Sequence, residues 1–103
     1  MSEEKTKMTY EQRINAAITM PSDYDLPVNA PIVAMFAAPY RPVVPPADGG
    51  DNMTSFEIVQ VLDDTCALST QDVALTMVFL GYRLNVNVLK GYEWSMTMKD
   101  TPV

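Results

Sequence analysis

Ser69-Thr70-Gln71-Asp72-Val73-Ala74-Leu75-Thr76-Met77-Val78-Phe79-Leu80-Gly81 carries a helix start, a helix body and a helix stop in one unbroken run. Ser69 is an N-cap residue. Asp72, three positions on, can bond back to the cap and places negative charge at the positive end of the helix dipole. Leu68 and Val73 have the spacing of a hydrophobic staple. Gly81 is the residue type that ends a helix in the left-handed conformation, with Tyr82 placed to contact Met77 in a Schellman ending.

Working outward, Thr54-Ser55-Phe56-Glu57 repeats the start signal as a capping box, with Met53 and Ile58 as its staple. A helix from about Thr54 to Asp64 is expected, with Phe56, Val59 and Leu62 on one side. Downstream, Arg83-Leu84-Asn85-Val86-Asn87-Val88 and Glu93-Trp94-Ser95-Met96-Thr97-Met98 both alternate polar and apolar, the period of half-buried strands. A two-residue turn at Lys90-Gly91 would mix the faces. A three-residue loop Leu89-Lys90-Gly91 keeps them apart: it pairs Val88 with Tyr92, Val86 with Trp94 and Leu84 with Met96, and puts Gly91 at the left-handed position. Tyr92 and Trp94 are then expected in the core.

Upstream, residues 21–52 hold seven prolines and finish with Asp48-Gly49-Gly50-Asp51. Proline at this density points to extended or polyproline II backbone rather than helix, closing on a flexible turn. The apolar Ile32, Val33, Met35 and Phe36 within it should lie against something. Before it, Thr9 and Gln12 have capping-box spacing, and Tyr10, Ile14, Ala17 and Ile18 form a helical stripe that Pro21 stops.

The fold expected is therefore α+β, a small domain of three helices plus a C-terminal two-stranded β-hairpin, with a Pro-rich extended segment. It is one globular unit in three stretches: 1–20, tail and helix; 21–52, Pro-rich segment and turn; 53–103, helix-turn-helix and hairpin. Helix, short turn, helix, glycine and hairpin over residues 53–99 resemble the winged helix-turn-helix superfamily in architecture. That resemblance implies a recognition helix at 69–80 and a wing in the hairpin. It makes Thr70, Gln71, Thr76, Arg83, Lys90 and Lys99 the candidate DNA contacts, and a sequence-specific transcriptional regulator the implied function.

Composition points elsewhere. Thirteen acids against seven bases give a net charge of −6, with seven acids and four bases in residues 1–52 and six and three thereafter. Nonspecific nucleic-acid binding needs a basic face to displace phosphate counterions. The 69–80 segment has neither Lys nor Arg, and Asp72 would meet phosphate with the wrong sign. Val73, Met77 and Leu80 make one apolar side of that helix, while Leu75, Val78 and Phe79 point another way. Such a helix needs cover, either from the Pro-rich segment or from another protein. Leu75, Val78 and Phe79 are the candidate protein interface.

Catalysis has little material. There is no histidine and one cysteine, which removes Cys/His triads, the common zinc sites and an internal disulfide; Cys66 reads as a small buried apolar residue. The acid pairs Asp23/Asp25, Asp48/Asp51 and Asp63/Asp64 read as solvated turns and helix ends, and no phosphate loop is present. No enzyme activity, cofactor or metal is expected. Pro39-Tyr40-Arg41-Pro42-Val43-Val44-Pro45 has the spacing that polyproline grooves read, but also that of a rigid connector. The charged N-terminal residues lead into no apolar stretch, and the run Ile32–Ala38 is too short to cross a bilayer, so a cytoplasmic location is expected. The leading expectation is a non-catalytic interaction module, an accessory or assembly subunit that contacts another protein or itself. A DNA-binding regulator and a small structural component of a larger particle such as a virion are the alternatives.

Overall fold

The computed structural model describes residues 8–43, 51–62 and 68–99. Within them the elements run in the order α1 (Tyr10–Thr19), a 3-10 turn (Pro21–Tyr24), α2 (Ala30–Ala37), β1 (Tyr40–Pro42), α3 (Ser55–Leu62), α4 (Thr70–Leu80), β2 (Leu84–Asn87), β3 (Gly91–Trp94) and β4 (Met96–Met98). The fold is a small α+β domain. It has one more helix and one more two-stranded sheet than the sequence led us to expect.

Three helices begin where their capping signals stand. Thr9 accepts from the Gln12 amide while the Gln12 side chain accepts from the Thr9 amide. Thr54 and Glu57 exchange the same pair of bonds at 3.0 and 2.9 Å, and so do Ser69 and Asp72. Each box satisfies two amides that the helix itself cannot. At the other end of α4, the Tyr82 amide donates to the Met77 carbonyl and the Gly81 amide to that of Val78, with Gly81 at φ +100°. These are the two bonds of a Schellman ending. An L side chain at that φ is strained even though the space is open, so Gly81→Ala should cost about 1–2 kcal/mol in urea denaturation.

The Pro-rich segment departs from expectation. Over residues 21–37 it forms the 3-10 turn and α2 in place of extended backbone, while Tyr40–Pro42 is extended as β1. Proline breaks a helix only in its interior, and here Pro21 and Pro31 sit in the first turn of their elements, where the missing N–H would have been unpaired anyway. Pro31 and Pro39 are eight residues apart, which leaves room for two helical turns of apolar residues between them. Ala30, Val33, Ala34 and Ala37 are buried, facing a largely alanine-rich side of α1 (Ile14, Ala16 and Ala17). Of the four apolar residues named in this segment, Val33 is core, Ile32 and Phe36 are half-buried, and Met35 is exposed.

In α3 the buried stripe is Ile58, flanked by half-buried Ser55, Val59 and Leu62. Phe56, expected beside Val59 and Leu62, lies one residue off that stripe and is exposed. Met53 packs on the core that contains Ile58, at the position its staple role requires. The far end of this helix toward Asp64, Cys66, the Asp63/Asp64 pair, the turn at 48–50 and the end of the proline motif at 44–45 lie outside the described residues.

The C-terminal strand bends at Ser95 and serves two sheets. Before the bend, β3 pairs antiparallel with β2; after it, β4 pairs antiparallel with β1. Ser95 joins them: its N–H donates to the Arg83 carbonyl on one side and its C=O accepts from Val43 on the other. Residues 51–53 run along the opposite flank, through Trp94 N–H to the Met53 carbonyl, Asp51 N–H to that of Met96, and Met96 N–H to Asn52 Oδ1. The β1–β4 ladder bonds fall on odd positions, Lys99 to Pro39 and Val43 to Ser95. Pro42 is opposite Met96 between them, so its absent N–H costs the ladder nothing.

The hairpin register is Leu84 with Trp94, Val86 with Tyr92 and Asn87 with Gly91, two positions from the expected pairing. The turn starts earlier because the Asn87 side chain accepts from the amides of Leu89 and Lys90 at 2.8 and 3.0 Å, a side-chain-closed turn. Gly91 still takes the left-handed conformation, at φ +92°. A shift of two preserves the faces, so Leu84, Val86, Tyr92 and Trp94 remain on one side.

The core gathers Ile14, Ala17, Val33, Ala34, Ile58, Val73, Met77, Leu80, Tyr82, Trp94 and Met96 from every helix and from the Ser95 bend.

Candidate protein interface

The inward side of α4 is Val73, Thr76, Met77 and Leu80, all essentially inaccessible. At 100° per residue these lie within one sector, and Gln71, Leu75 and Val78 occupy the opposite one. Leu75 is 47% and Val78 62% exposed. Their neighbour Phe79 is only half-exposed, because the Tyr24 ring packs on it with centroids 5.1 Å apart and the Arg13 guanidinium lies 6.0 Å over its face. Arg13 also donates to the Phe79 carbonyl at 2.7 Å. The Pro-rich segment thus supplies partial cover through Tyr24, and it stops at Phe79. Two of the three residues expected at a protein interface stand open to solvent on a helix surface that carries no charge between Val73 and Leu80.

The candidate DNA contacts do not form a set. Thr70 and Gln71 are exposed, but Thr76 is buried and donates its hydroxyl to the Asp72 carbonyl one turn back. Its polarity is satisfied locally, as threonine in a helix often achieves. Lys90 bridges Glu57 at 2.9 Å and Lys99 bridges Glu11 at 2.7 Å while lying over the Tyr10 ring. The Thr54 amide, then Lys90, hold the Glu57 carboxyl below the usual range, and Glu57 in turn raises Lys90. Arg83 is exposed. Asp72 is occupied by Ser69 and by the Asn29 side-chain amide at 3.4 Å.

The hairpin corrects a second expectation. Trp94 is 2% exposed, with its indole N–H on Ser55 Oγ at 2.9 Å, as a core aromatic should be. Tyr92, opposite Val86, is exposed, and so are Leu84, Val86, Val88 and Leu89. The apolar side of the hairpin faces water beyond Trp94, while Asn85 and Asn87 are the more sheltered residues. Alternation in sequence reveals which residues share a face and is silent on which face turns inward. The signal that was available is the absence of any charge from Leu84 to Leu89.

A part-buried polar pair also escaped the sequence. Tyr10 and Tyr82, 72 positions apart, meet hydroxyl to hydroxyl at 2.6 Å with their rings edge-on. The Tyr10 hydroxyl donates to the Ala37 carbonyl at 2.6 Å, so its single proton is committed and Tyr82 must be the donor between the two. Burial, opposed in part by that bond, pushes Tyr10 up to about 12; burial, then the bond to Tyr10, raises Tyr82 as well. Both are neutral donors tying α1, α2 and the end of α4 together.

Asp23 and Asp25 are exposed, and among the described residues no three of His, Cys, Asp and Glu come together as a metal site. Among those residues no helix is long and apolar enough to cross a membrane. Comparison with protein-family models, with curated proteins and with solved structures finds no match to this chain.

Proposed function

We propose that this chain is a non-catalytic, winged-helix-like interaction module, an accessory or assembly subunit that receives a protein partner on the Leu75/Val78 side of α4. The order α3, α4, β2–β3 supports the winged-helix reading. The observation that carries the functional reading is that the helix a DNA-binding relative would lay in the groove exposes Leu75 and Val78 and carries no base. Two large aliphatic residues side by side on a helix lose free energy in water and regain it under a partner's apolar surface. With Lys90 and Lys99 each held by an acid, and Thr76 inside the core, phosphate and base readout has few groups to use.

The test separates surface from core on the same helix. Val78→Asp should change stability by less than about 0.5 kcal/mol, as expected of a surface site, whereas Leu80→Asp should unfold the protein. A photo-crosslinking residue at position 78, introduced in the native host, should yield a discrete protein adduct. The same residue at the exposed Gln60 should not, and Leu75→Asp should abolish the adduct. Absence of an adduct at 78, or salt-dependent duplex DNA binding lost on Arg83→Ala with Lys90→Ala, would defeat this reading in favour of a DNA-binding regulator.

A further inference from the structure

We propose that β2 is an open sheet edge that pairs antiparallel with β2 of a second copy of this chain, making a four-stranded sheet across a twofold axis. The surface is distinct from the α4 stripe, and the argument begins with the backbone. In an antiparallel ladder, residues alternate between those that exchange hydrogen bonds with the partner strand and those whose N–H and C=O point away. Ser95 N–H donates to Arg83 C=O, and Trp94 N–H turns outward to Met53. The odd residues Arg83, Asn85 and Asn87 therefore face β3, and the even residues Leu84 and Val86 direct their backbone groups away from it. Among the described residues nothing receives them. The β3 edge, by contrast, is taken at Trp94 by Met53.

Unpaired edges are commonly protected by charge, proline or a covering element. Here Leu84-Asn85-Val86-Asn87-Val88-Leu89 holds no charge, proline or glycine. Val86 is 68% and Val88 98% exposed. What fits such an edge is another extended strand, since only a strand supplies matching backbone donors and acceptors.

The strand is complementary to itself. Pairing about Asn85 sets Leu84 opposite Val86 of the second copy, and Val86 opposite Leu84 of the second copy. The two pairs exchange four ladder bonds from the groups now open. Because Leu84 pairs with Trp94 and Val86 with Tyr92 within each hairpin, each cross-strand row becomes Tyr92, Val86, then Leu84 and Trp94 of the second copy. Both rows are apolar throughout and lie on one face. Arg83 falls opposite Asn87 of the second copy, so no like charges meet, which matters for two chains that each carry a net charge of −6. Closed twofold pairing is also the commonest way identical chains associate.

Sedimentation equilibrium over a wide concentration range, on the full chain, reads the dimer directly. Val86→Pro removes an outward N–H and leaves the β2–β3 ladder bonds in place, as proline at an edge position does. Val86→Lys leaves the backbone whole and brings two ammonium groups to either side of the axis. Each variant should raise the dissociation constant at least tenfold, with Trp94 fluorescence unchanged as the report that the hairpin is folded. Leu75→Asp with Val78→Asp should leave the dimer intact, so failure here and failure of the α4 reading are distinguishable. Amide hydrogen exchange should slow at Leu84 and Val86 as concentration rises, and stay constant at Asn85 and Asn87. A wild-type chain that stays monomeric, a dimer that survives both Val86 variants, or exchange that ignores this two-residue period overturns the proposal.

Discussion

Trp94→Ala should lower the free energy of unfolding by about 3–5 kcal/mol, read by far-ultraviolet circular dichroism in urea. The indole is 2% exposed and fills the space between α3 and the Ser95 bend. Its ring N–H donates to Ser55 Oγ, and its backbone N–H to the Met53 carbonyl at 2.7 Å. Truncation empties a large volume that rigid neighbours cannot refill, and it also strands a serine hydroxyl. Trp94→Phe isolates the second effect: most of the volume returns, and about 1 kcal/mol should remain as the cost of the lost donor. A loss below 1 kcal/mol for the alanine variant would mean that the bend is not part of the core.

Raising the pH above 10 should destabilise the protein, and the tyrosine pair supplies the reason. The folded chain holds Tyr10 up to about 12 and raises Tyr82 too, whereas the unfolded chain releases both protons near the ordinary value of about 10. Between those values the unfolded state binds fewer protons than the native one, so stability falls as pH rises. The contribution is whole below pH 10 and is lost as pH climbs through the folded values. The slope is limited to about 1.4 kcal/mol per pH unit for each proton, and solvent at the half-buried Tyr10 lowers it further. Urea midpoints measured from pH 8 to pH 11.5 should fall steadily, with tyrosinate absorbance appearing alongside unfolding. Tyr82→Phe removes the more deeply buried titrating group, 4% exposed, and should flatten the alkaline limb. A wild-type midpoint that is level to pH 11.5 would contradict the pairing.

What was legible in the sequence was local. Thr9, Thr54 and Ser69 begin their helices through bonds three residues long, and Gly81 ends one through bonds to the preceding turn, so the code for each is written in adjacent positions. The alternation put Leu84, Val86 and Trp94 on one face by the same kind of short-range rule, but the single strand expected over 93–98 divides at Ser95, and its second half pairs with β1 instead of β2. The failures lie where a distant partner decides. Proline density argued against α2 because position within a helix, rather than frequency, sets its cost. β1 is three residues whose partner lies 56 positions away from it, and no local pattern announces that pairing. Tyr10 and Tyr82 are more remote still, 72 positions apart. At the candidate interface, helical geometry separated Leu75, Val78 and Phe79 from the inward side. It could not show that Tyr24 would shelter Phe79 alone, or that the hairpin would turn its apolar face to solvent.

The strand pairing at Tyr40–Pro42 has a consequence for how the chain is made. Its partner, Met96–Met98, leaves a ribosome well after it, and Lys99 adds a bond to Pro39 and an ion pair to Glu11. Such widely separated contacts slow the search for the native state relative to a helical bundle of the same length. Nascent α1 and α2 therefore wait, with Ala17, Val33 and Ala34 incompletely covered, until α4 and the segment 96–99 have been made. A stalled chain that stops at residue 90 should be digested by protease through its first forty residues, while one that extends past 99 and clears the exit tunnel should resist.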